Sequence, residues 1–340
     1  MSSIVNAAIA GAVVALAAAG VILYQAERPP MGGIQHGFRG TGMDYIYNPR
    51  FVDQELAANK VPASLPRLPD AGGKAGVVYK NVQVLKDVSV GNFTRLMASI
   101  TTWVAPTQGC AYCHNVANMA DDGLYTKVVA RRMLQMTQNI NANWKTHVAE
   151  TGVTCYTCHR GNPVPANIWF NNPGPVQAGG FAQTPSGRAH PTAVAGASSL
   201  PFDPFTPYLE GDDSIRIAAQ TALPGTDRQS INQTYWTYSL MMNFSQALGV
   251  NCTYCHNTRS FSDWSQSSPQ RVNAWYGIRM VRDVNNNYLD PLHSVFPAAR
   301  LGVEGDSAKV NCATCHNGVY KPLFGVSMVK TFPELQSVAP

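Results

Sequence analysis

The chain has 340 residues and a formal net charge of +5, and only 13% of its residues are charged. A hydrophobic fraction of 45% excludes both an intrinsically disordered chain and a multi-span membrane protein. The charge is too small and too scattered to indicate nucleic-acid binding, and its scarcity indicates a surface buried against a partner, a membrane or a cofactor.

The first predicted element is an apolar N-terminal helix. Residues 1–25 carry no charge, and the 21 residues from Ile4 to Tyr24 are mostly Ala, Val and Ile. A run of about 20 such residues spans a bilayer. A cleaved signal peptide is the alternative, but this run is long for one and lacks a positively charged start. We therefore predict a retained transmembrane anchor.

Four helical patterns follow, one before each pair of cysteines. Asn92 can cap a helix that runs to about Val104. The others are predicted from Leu124 to about His147, from Ser230 to Leu248 with Gly249 after its end, and from Pro269 to Tyr288. Strand-like alternation is limited to short pieces such as Gly76–Val84. The sequence predicts a mainly α fold with long irregular loops.

All eight cysteines belong to four C-x-x-C-H motifs, which is the attachment signature of c-type haem. Two thiols one turn apart reach the two vinyl groups of a porphyrin, and the adjacent imidazole then binds the iron. A disulfide framework, structural zinc and a redox dithiol are the alternatives, but four motifs with no cysteine left over favour a tetrahaem cytochrome. The residues of the four motifs are Cys110, Cys113 and His114; Cys155, Cys158 and His159; Cys252, Cys255 and His256; and Cys312, Cys315 and His316.

The spacing of the motifs indicates two two-haem units. Successive motifs are 45, 97 and 60 residues apart, so a long insert separates two pairs. The insert is rich in Pro and Gly, and we expect it to be ordered by apolar anchors at Trp169, Phe170, Phe202, Phe205 and Tyr208. The predicted organisation is an anchor (1–25), an N-terminal segment (26–91), a first two-haem unit (92–160), a connector (161–229) and a second two-haem unit (230–340).

Haem attachment also predicts the compartment. Covalent attachment to C-x-x-C-H takes place on the outer side of an energy-transducing membrane. Arg28 and Arg39 follow the apolar run, and the positive-inside rule weakly favours the opposite orientation. Because haem attachment requires the outer side, we predict that the chain after the apolar run lies outside the membrane.

Helical geometry alone leaves the sixth iron ligands open. Each helix before a motif carries a methionine, although such a residue is more often core filler than ligand. The candidates are Met97, Met133 or Met136, Met241 or Met242, and Met280. His147 ends the second helix and has no evident structural role, whereas His36, His190 and His293 are interpreted as ordinary loop residues.

The chain resembles the tetrahaem cytochrome subunit of the purple-bacterial type photosynthetic reaction centre over nearly its whole length beyond the anchor. The resemblance rests on the four motifs with their spacing and on three further stretches. These are Gly37-Phe38-Arg39-Gly40-Thr41-Gly42-Met43, Pro269-Gln270-Arg271 with Trp275-Tyr276-Gly277-Ile278-Arg279-Met280-Val281-Arg282, and Lys321-Pro322-Leu323-Phe324-Gly325.

This resemblance implies a ligand set for each iron. The implied pairs are His114 with Met97 for haem 1, His159 with Met133 for haem 2, His256 with Met241 for haem 3, and His316 with His147 for haem 4. Met280 is the remaining candidate for haem 4. Three Met/His haems and one bis-His haem imply unequal reduction potentials. Many family members carry a lipid-modified N-terminal cysteine, which this chain replaces with an apolar span.

The resemblance also implies a function and partners. Four covalent haems c would relay electrons at the periplasmic face of the bacterial photosynthetic membrane. The donor would be a soluble cytochrome c or a high-potential iron–sulfur protein. The acceptor would be the photo-oxidised bacteriochlorophyll pair, carried by core subunits of the L and M type on which residues 26–91 would dock. Arg271 would lie between haem 3 and that pair. Such a chain is an electron carrier with no catalytic residue, not an enzyme.

Two other classes remain as alternatives. A membrane-anchored tetrahaem quinol dehydrogenase also combines an N-terminal span with four motifs, but such chains are shorter and use mainly His ligands. A catalytic multihaem reductase would need one five-coordinate haem.

Overall fold

A computed structural model describes residues 2–26, 32–35, 44–172, 200–201, 203–217 and 231–336. Helices dominate this part of the chain, which confirms the predicted fold class, and its one sheet pairs β1 (Gly32–Gln35) antiparallel with β2 (Asp44–Tyr47). The α-helices are α1 (Ser2–Gln25), α2 (Pro49–Ala58), α3 (Ala75–Val78), α4 (Val90–Val104), α5 (Tyr125–Asn143), α6 (Lys145–Val148), α7 (Cys155–His159), α8 (Ile231–Leu248), α9 (Pro269–Val284) and α10 (Cys312–His316).

α1 coincides with the predicted apolar run. It is the one helix in the described residues that is long and apolar enough to cross a membrane. Its large side chains are exposed along its whole length, for example Leu16 at 72% and Ile22 at 68%. An apolar helix that packs on none of the other described residues is a candidate membrane anchor.

α4 begins three residues earlier than a cap at Asn92 would place it, so Asn92 is not its cap. Ser89 occupies the N-cap position, and Asn92 lies in the first turn, fully buried. Its side-chain amide accepts a hydrogen bond from the backbone N–H of Leu68 and donates to the carbonyl of Leu68 and to a carboxylate oxygen of Asp70. Asn92 therefore fixes the preceding loop against α4, because a buried amide requires such partners.

The predicted second helix is divided in two. α5 ends at Asn143, and α6 begins after Trp144, whose backbone is not helical. The indole Nε1 of Trp144 donates to a carboxylate oxygen of Asp283 on α9, at 2.7 Å. The break therefore turns the short α6, which carries His147, toward α9.

α8 and α9 agree with the prediction over most of their length. α8 ends at Leu248, and Gly249 takes the expected positive φ of 62°. The predicted start of α8 at Ser230 lies outside the described residues. α9 begins at Pro269 but ends at Val284, and residues 285–289 continue as one wide helical turn.

The predicted strand at Gly76–Val84 is wrong. The segment begins inside α3 and continues as turns. The backbone N–H of Gly76 donates to the carbonyl of Lys86, and Asn81 has a φ of 64°. The segment therefore folds back on itself, since an extended strand does not include a residue at positive φ.

The core consists of three clusters of buried apolar residues. The first joins α4 to the C-terminal segment, where the rings of Trp103 and Phe332 meet edge to face with centroids 4.7 Å apart. The second packs α8 and α9 on the wide turn Thr206–Glu210. The third lies between α5 and α9.

Most of the predicted connector lies outside the described residues. Of its expected anchors, Trp169, Phe205 and Tyr208 are buried in the second cluster, and Phe170 is half-buried. Phe202 lies outside the described residues.

Candidate functional site: four C-x-x-C-H motifs and one cavity

A cavity of about 1360 Å³ runs through the body of the protein. Its walls are mostly apolar, which suits a porphyrin ring. Cys252 and His256 of the third motif do not line it, although their neighbour Cys255 does. The motif residues that line it are Cys110, Cys113, His114, Cys155, Cys158, His159, Cys255, Cys312, Cys315 and His316, and His147 joins them.

The motif cysteines are free thiols, of which Cys110 and Cys252 are exposed and the other six are partly buried. All eight lie in the described part of the chain and none is in a disulfide, which disfavours the disulfide framework. Burial raises the pKa of Cys155 and of Cys312 to about 12, and that of Cys255 to about 11. Burial also raises the pKa of Cys113 in the first motif. Burial that disfavours the charged thiolate suits neutral thioethers.

The motifs have two alternating local conformations. The first and third form short 3-10 turns, Gly109–Tyr112 and Cys252–Tyr254. The second and fourth are the single-turn helices α7 and α10, each with a capping box and a left-handed residue after the histidine. The same two conformations therefore recur in the same order.

The five histidines that are predicted to bind iron have the same tautomer. In each ring Nδ1 donates to a backbone carbonyl, and a carbonyl oxygen accepts only, so the lone pair is left on Nε2. The bonds run from His114 to Met119 (3.2 Å), from His159 to Asn162 (2.9 Å), from His256 to Phe261 (2.9 Å), from His316 to Val319 (3.0 Å) and from His147 to Asn273 (3.0 Å).

Burial also favours the neutral form of four of these five rings, among them His256, whose pKa it lowers. It lowers the pKa of His316 to about 4 and lowers the pKa of His147 and of His159. The neutral imidazole is the form that binds a metal. His293, by contrast, is exposed, and His36 and His190 lie outside the described residues.

His147 lies opposite His316, although 169 residues separate them in the sequence. Their ring centroids are 6.2 Å apart, with an angle of 61° between the planes. Because a metal–imidazole bond is about 2 Å long, this gap has room for one iron between the rings. The residues present therefore fit a bis-His haem.

The candidate methionines lie on the predicted helices. Four of the candidates line the cavity, namely Met97, Met133, Met136 and Met280. A position in the cavity wall therefore does not distinguish Met133 from Met136 as a ligand, and it does not exclude Met280. Met241 lies on α8 and packs on the second apolar cluster, outside the cavity lining.

A repeated hydrogen bond relates α4 to α8. The N–H of Gly161, two residues after His159, donates to the carbonyl of Trp103 at the end of α4. The N–H of Gly318, two residues after His316, donates in the same way to the carbonyl of Ala247 on α8. Met97 and Met241 each precede that carbonyl residue by six positions, whereas Met242 precedes it by five.

A second repeat relates α5 to α9. The side chain of Asn141 exchanges two hydrogen bonds with the backbone of Val153, two residues before Cys155. The side chain of Asn285 makes the same pair with Val310, two residues before Cys312.

The second and fourth motifs are in contact with each other. The sulfur atoms of Cys158 and Cys315 are 2.6 Å apart, and α7 packs on α10. Contact with Cys315 and burial together raise the pKa of Cys158. On either side, α4 packs on α7 and α8 packs on α10.

Arg271 holds the loop after the third motif. Its guanidinium donates to the carbonyl of Asp263 at 3.1 Å and to the hydroxyl of Ser267 at 2.7 Å, and it stacks over Trp264 at 4.1 Å. Burial lowers its pKa. In the chain itself Arg271 therefore has a structural role as a tether.

Sequence reasoning missed the residues of α9 that hold His147. Both the carbonyl and the side-chain oxygen of Asn273 lie 3.0 Å from its Nδ1, and Gly277 lies directly against the ring. Their spacing of four places both on one face of α9, but no sequence signal links that face to a histidine 126 residues earlier.

The chain is similar to known proteins over nearly its whole length. The family model for the photosynthetic reaction centre cytochrome C subunit matches residues 27–336. The photosynthetic reaction center cytochrome c subunit of Rubrivivax gelatinosus is 52% identical over 319 residues, which cover 94% of this chain and 87% of that protein. The protein of the same description from Thermochromatium tepidum is 52% identical over 321 residues, covering 94% and 79%. That from Roseobacter denitrificans is 42% identical over 317 residues, covering 89% and 85%. The chain therefore belongs to the family of photosynthetic reaction centre cytochrome c subunits, and it is an electron carrier that holds haem c, not an enzyme.

Proposed function

We propose that the chain holds four haems c, one on each C-x-x-C-H motif. The thioether pairs are Cys110 with Cys113, Cys155 with Cys158, Cys252 with Cys255, and Cys312 with Cys315. His114, His159, His256 and His316 are the proximal ligands, and Met97, Met133, Met241 and His147 are the distal ligands. The observation that carries this proposal is the set of five imidazoles whose Nε2 lone pairs are left free, with His147 facing His316.

The four haems form a row in the order 1–2–4–3. The sulfur contact between Cys158 and Cys315 supports a central position for haems 2 and 4. The packing of α4 on α7 and of α8 on α10 supports haems 1 and 3 as the outer members. The recurrence of both conformations and both hydrogen-bond patterns supports two related two-haem units over residues 92–160 and 230–340, joined by the connector 161–229.

The role of this row is electron relay to a photosynthetic reaction centre. Haem c supplies reversible one-electron chemistry, and the chain supplies position, axial ligands and exclusion of water. A small soluble cytochrome c or a high-potential iron–sulfur protein is the donor, and the photo-oxidised bacteriochlorophyll pair of the L- and M-type core subunits is the acceptor. The chain works at the periplasmic face, with α1 as its membrane anchor, residues 26–91 on the core, and Arg271 between haem 3 and the pair.

The experiment that tests the haem and ligand set is spectroscopy of the intact, purified protein. We expect four haems per chain, three with the near-infrared charge-transfer band of Met–iron(III) and one with the bis-His band, and no carbon monoxide binding to the reduced protein. Absence of any Met-ligated haem would contradict the proposal and favour a quinol dehydrogenase type. Carbon monoxide binding to the native protein would favour a catalytic reductase.

A further inference from the structure

α5 and α9 make equivalent contacts at positions that are 144 residues apart in the sequence. Near the start of α5, Lys127 donates to two backbone carbonyls in the loop after the first motif, and Arg271 does the same after the third motif. The acceptors are Met119 (2.9 Å) and Asp121 (2.7 Å) for Lys127, and Phe261 (3.4 Å) and Asp263 (3.1 Å) for Arg271. Lys127 and Arg271 are 144 residues apart.

The C-terminal ends of the two helical segments correspond in the same way. Asn141 and Asn285, which bind the backbone before the second and fourth motifs in the same way, are also 144 residues apart. Both ends of the two segments therefore correspond without insertion or deletion between them. In this register Met133 corresponds to Gly277, and Met136 corresponds to Met280.

The ring of His147 occupies the space that a side chain at position 277 would need. A Cβ atom built on Gly277 would lie 2.6 Å from Cε1 of His147, closer than such atoms approach. The oxygens of Asn273, one turn earlier, hold the same ring through Nδ1. The position equivalent to a methionine ligand therefore has no side chain on α9, and a histidine from the first unit fills the space.

We propose that residue 277 determines which side chain is the distal ligand of haem 4. Glycine at this position admits His147 from α6, whereas a methionine there would supply the ligand from α9 itself, as Met133 does from α5. Gly277 is thus a positioning residue that acts through His147. The inference rests on the proposed ligand set, in which His147 binds the iron of haem 4. Since Met ligation raises the reduction potential relative to bis-His ligation, this one position also sets the potential of a central haem.

A ligand-replacement series on the full-length holoprotein tests the proposal. In His147→Ala we expect one haem per chain to bind carbon monoxide after reduction. Adding Gly277→Met should abolish that binding and add one Met–iron(III) charge-transfer band. Val272→Met in the His147→Ala background is the matched control, because Val272 lies on the same helix but is exposed, and we expect carbon monoxide binding to persist there.

The ligand assignment of His147 and the role of residue 277 can be refuted separately. If His147→Ala binds no carbon monoxide, the ligand assignment of His147 is wrong, and the inference is wrong with it. If both His147→Ala and the double variant bind carbon monoxide, the ligand assignment stands and the role of residue 277 is refuted.

Gly277→Ala gives an independent readout. Alanine is a better helix former than glycine, so this change does not weaken α9 itself. We expect the new methyl group to displace His147 without replacing it, so that haem 4 binds carbon monoxide and its potential shifts. A Gly277→Ala protein with the wild-type potential of haem 4 and no carbon monoxide binding would overturn the proposal.

Discussion

The feature that suits this chain to bind haem is its set of neutral imidazoles whose Nδ1 atoms donate to backbone carbonyls. The bond from Nδ1 of His316 to Val319 and the burial that lowers its pKa to about 4 act together, because both favour the neutral ring with a free Nε2. His159 follows the same pattern three residues from its acceptor, Asn162. The rings are therefore in the metal-binding form at neutral pH without any further rearrangement.

Replacing Met241 and Met242 one at a time tests which of the two binds the iron of haem 3. We expect Met241→Leu to remove one Met–iron(III) charge-transfer band and to let one haem per chain bind carbon monoxide, because leucine has a similar volume but no donor sulfur. Near-infrared spectra of the oxidised protein and carbon monoxide titration of the reduced protein measure both effects.

Met242→Leu is the control for this change and should leave both readouts as in the wild type. If Met242→Leu removes the band and Met241→Leu does not, the register derived from Trp103 and Ala247 is wrong.

The helices that carry the proposed ligands were predictable, but the contacts that orient these helices were not. Periodicity and caps placed α8 and its Gly249 correctly, because these signals are local. The proposed attachment cysteines and proximal histidines follow from the sequence alone, since one motif contains both. The break at Trp144 was not, because it depends on a hydrogen bond to Asp283, 139 residues away. Gly277 was missed for the same reason.

Asn285 gives a prediction about how α9 positions the fourth motif. Its buried side chain donates to the carbonyls of Leu209 and Val310 and accepts from the N–H of Val310. Asn285→Ala would leave these buried groups without partners, so we expect the free energy of unfolding to fall by about 1–3 kcal/mol. Denaturant unfolding of the purified holoprotein, followed by the haem absorbance, measures the loss.

The matched control is Asn286→Ala, next along the same turn. Asn286 is exposed and makes one hydrogen bond, to the carbonyl of Glu210, so we expect a change within about 0.5 kcal/mol. Equal losses in the two variants would show that the buried link to Val310 has no special importance.

The whole molecule is arranged around its cofactors. The two central motifs meet at Cys158 and Cys315, and the same hydrogen bonds recur on either side of that contact. The low proportion of charged residues, 13%, suits a chain that encloses the four proposed haems and lies against a membrane complex. Its formal charge of +5 is no guide to the charge of a partner, because the four proposed haems would add eight propionates to the polypeptide.

Flash spectroscopy of native membranes tests the central claim most directly. After a single flash, we expect the oxidised bacteriochlorophyll pair to be re-reduced while a haem of this chain is oxidised with the same time course. Membranes from a strain that lacks this chain should lose the haem signal and retain the photo-oxidised pair for longer. A haem signal that does not change after the flash, in membranes that contain the holoprotein, would contradict the account.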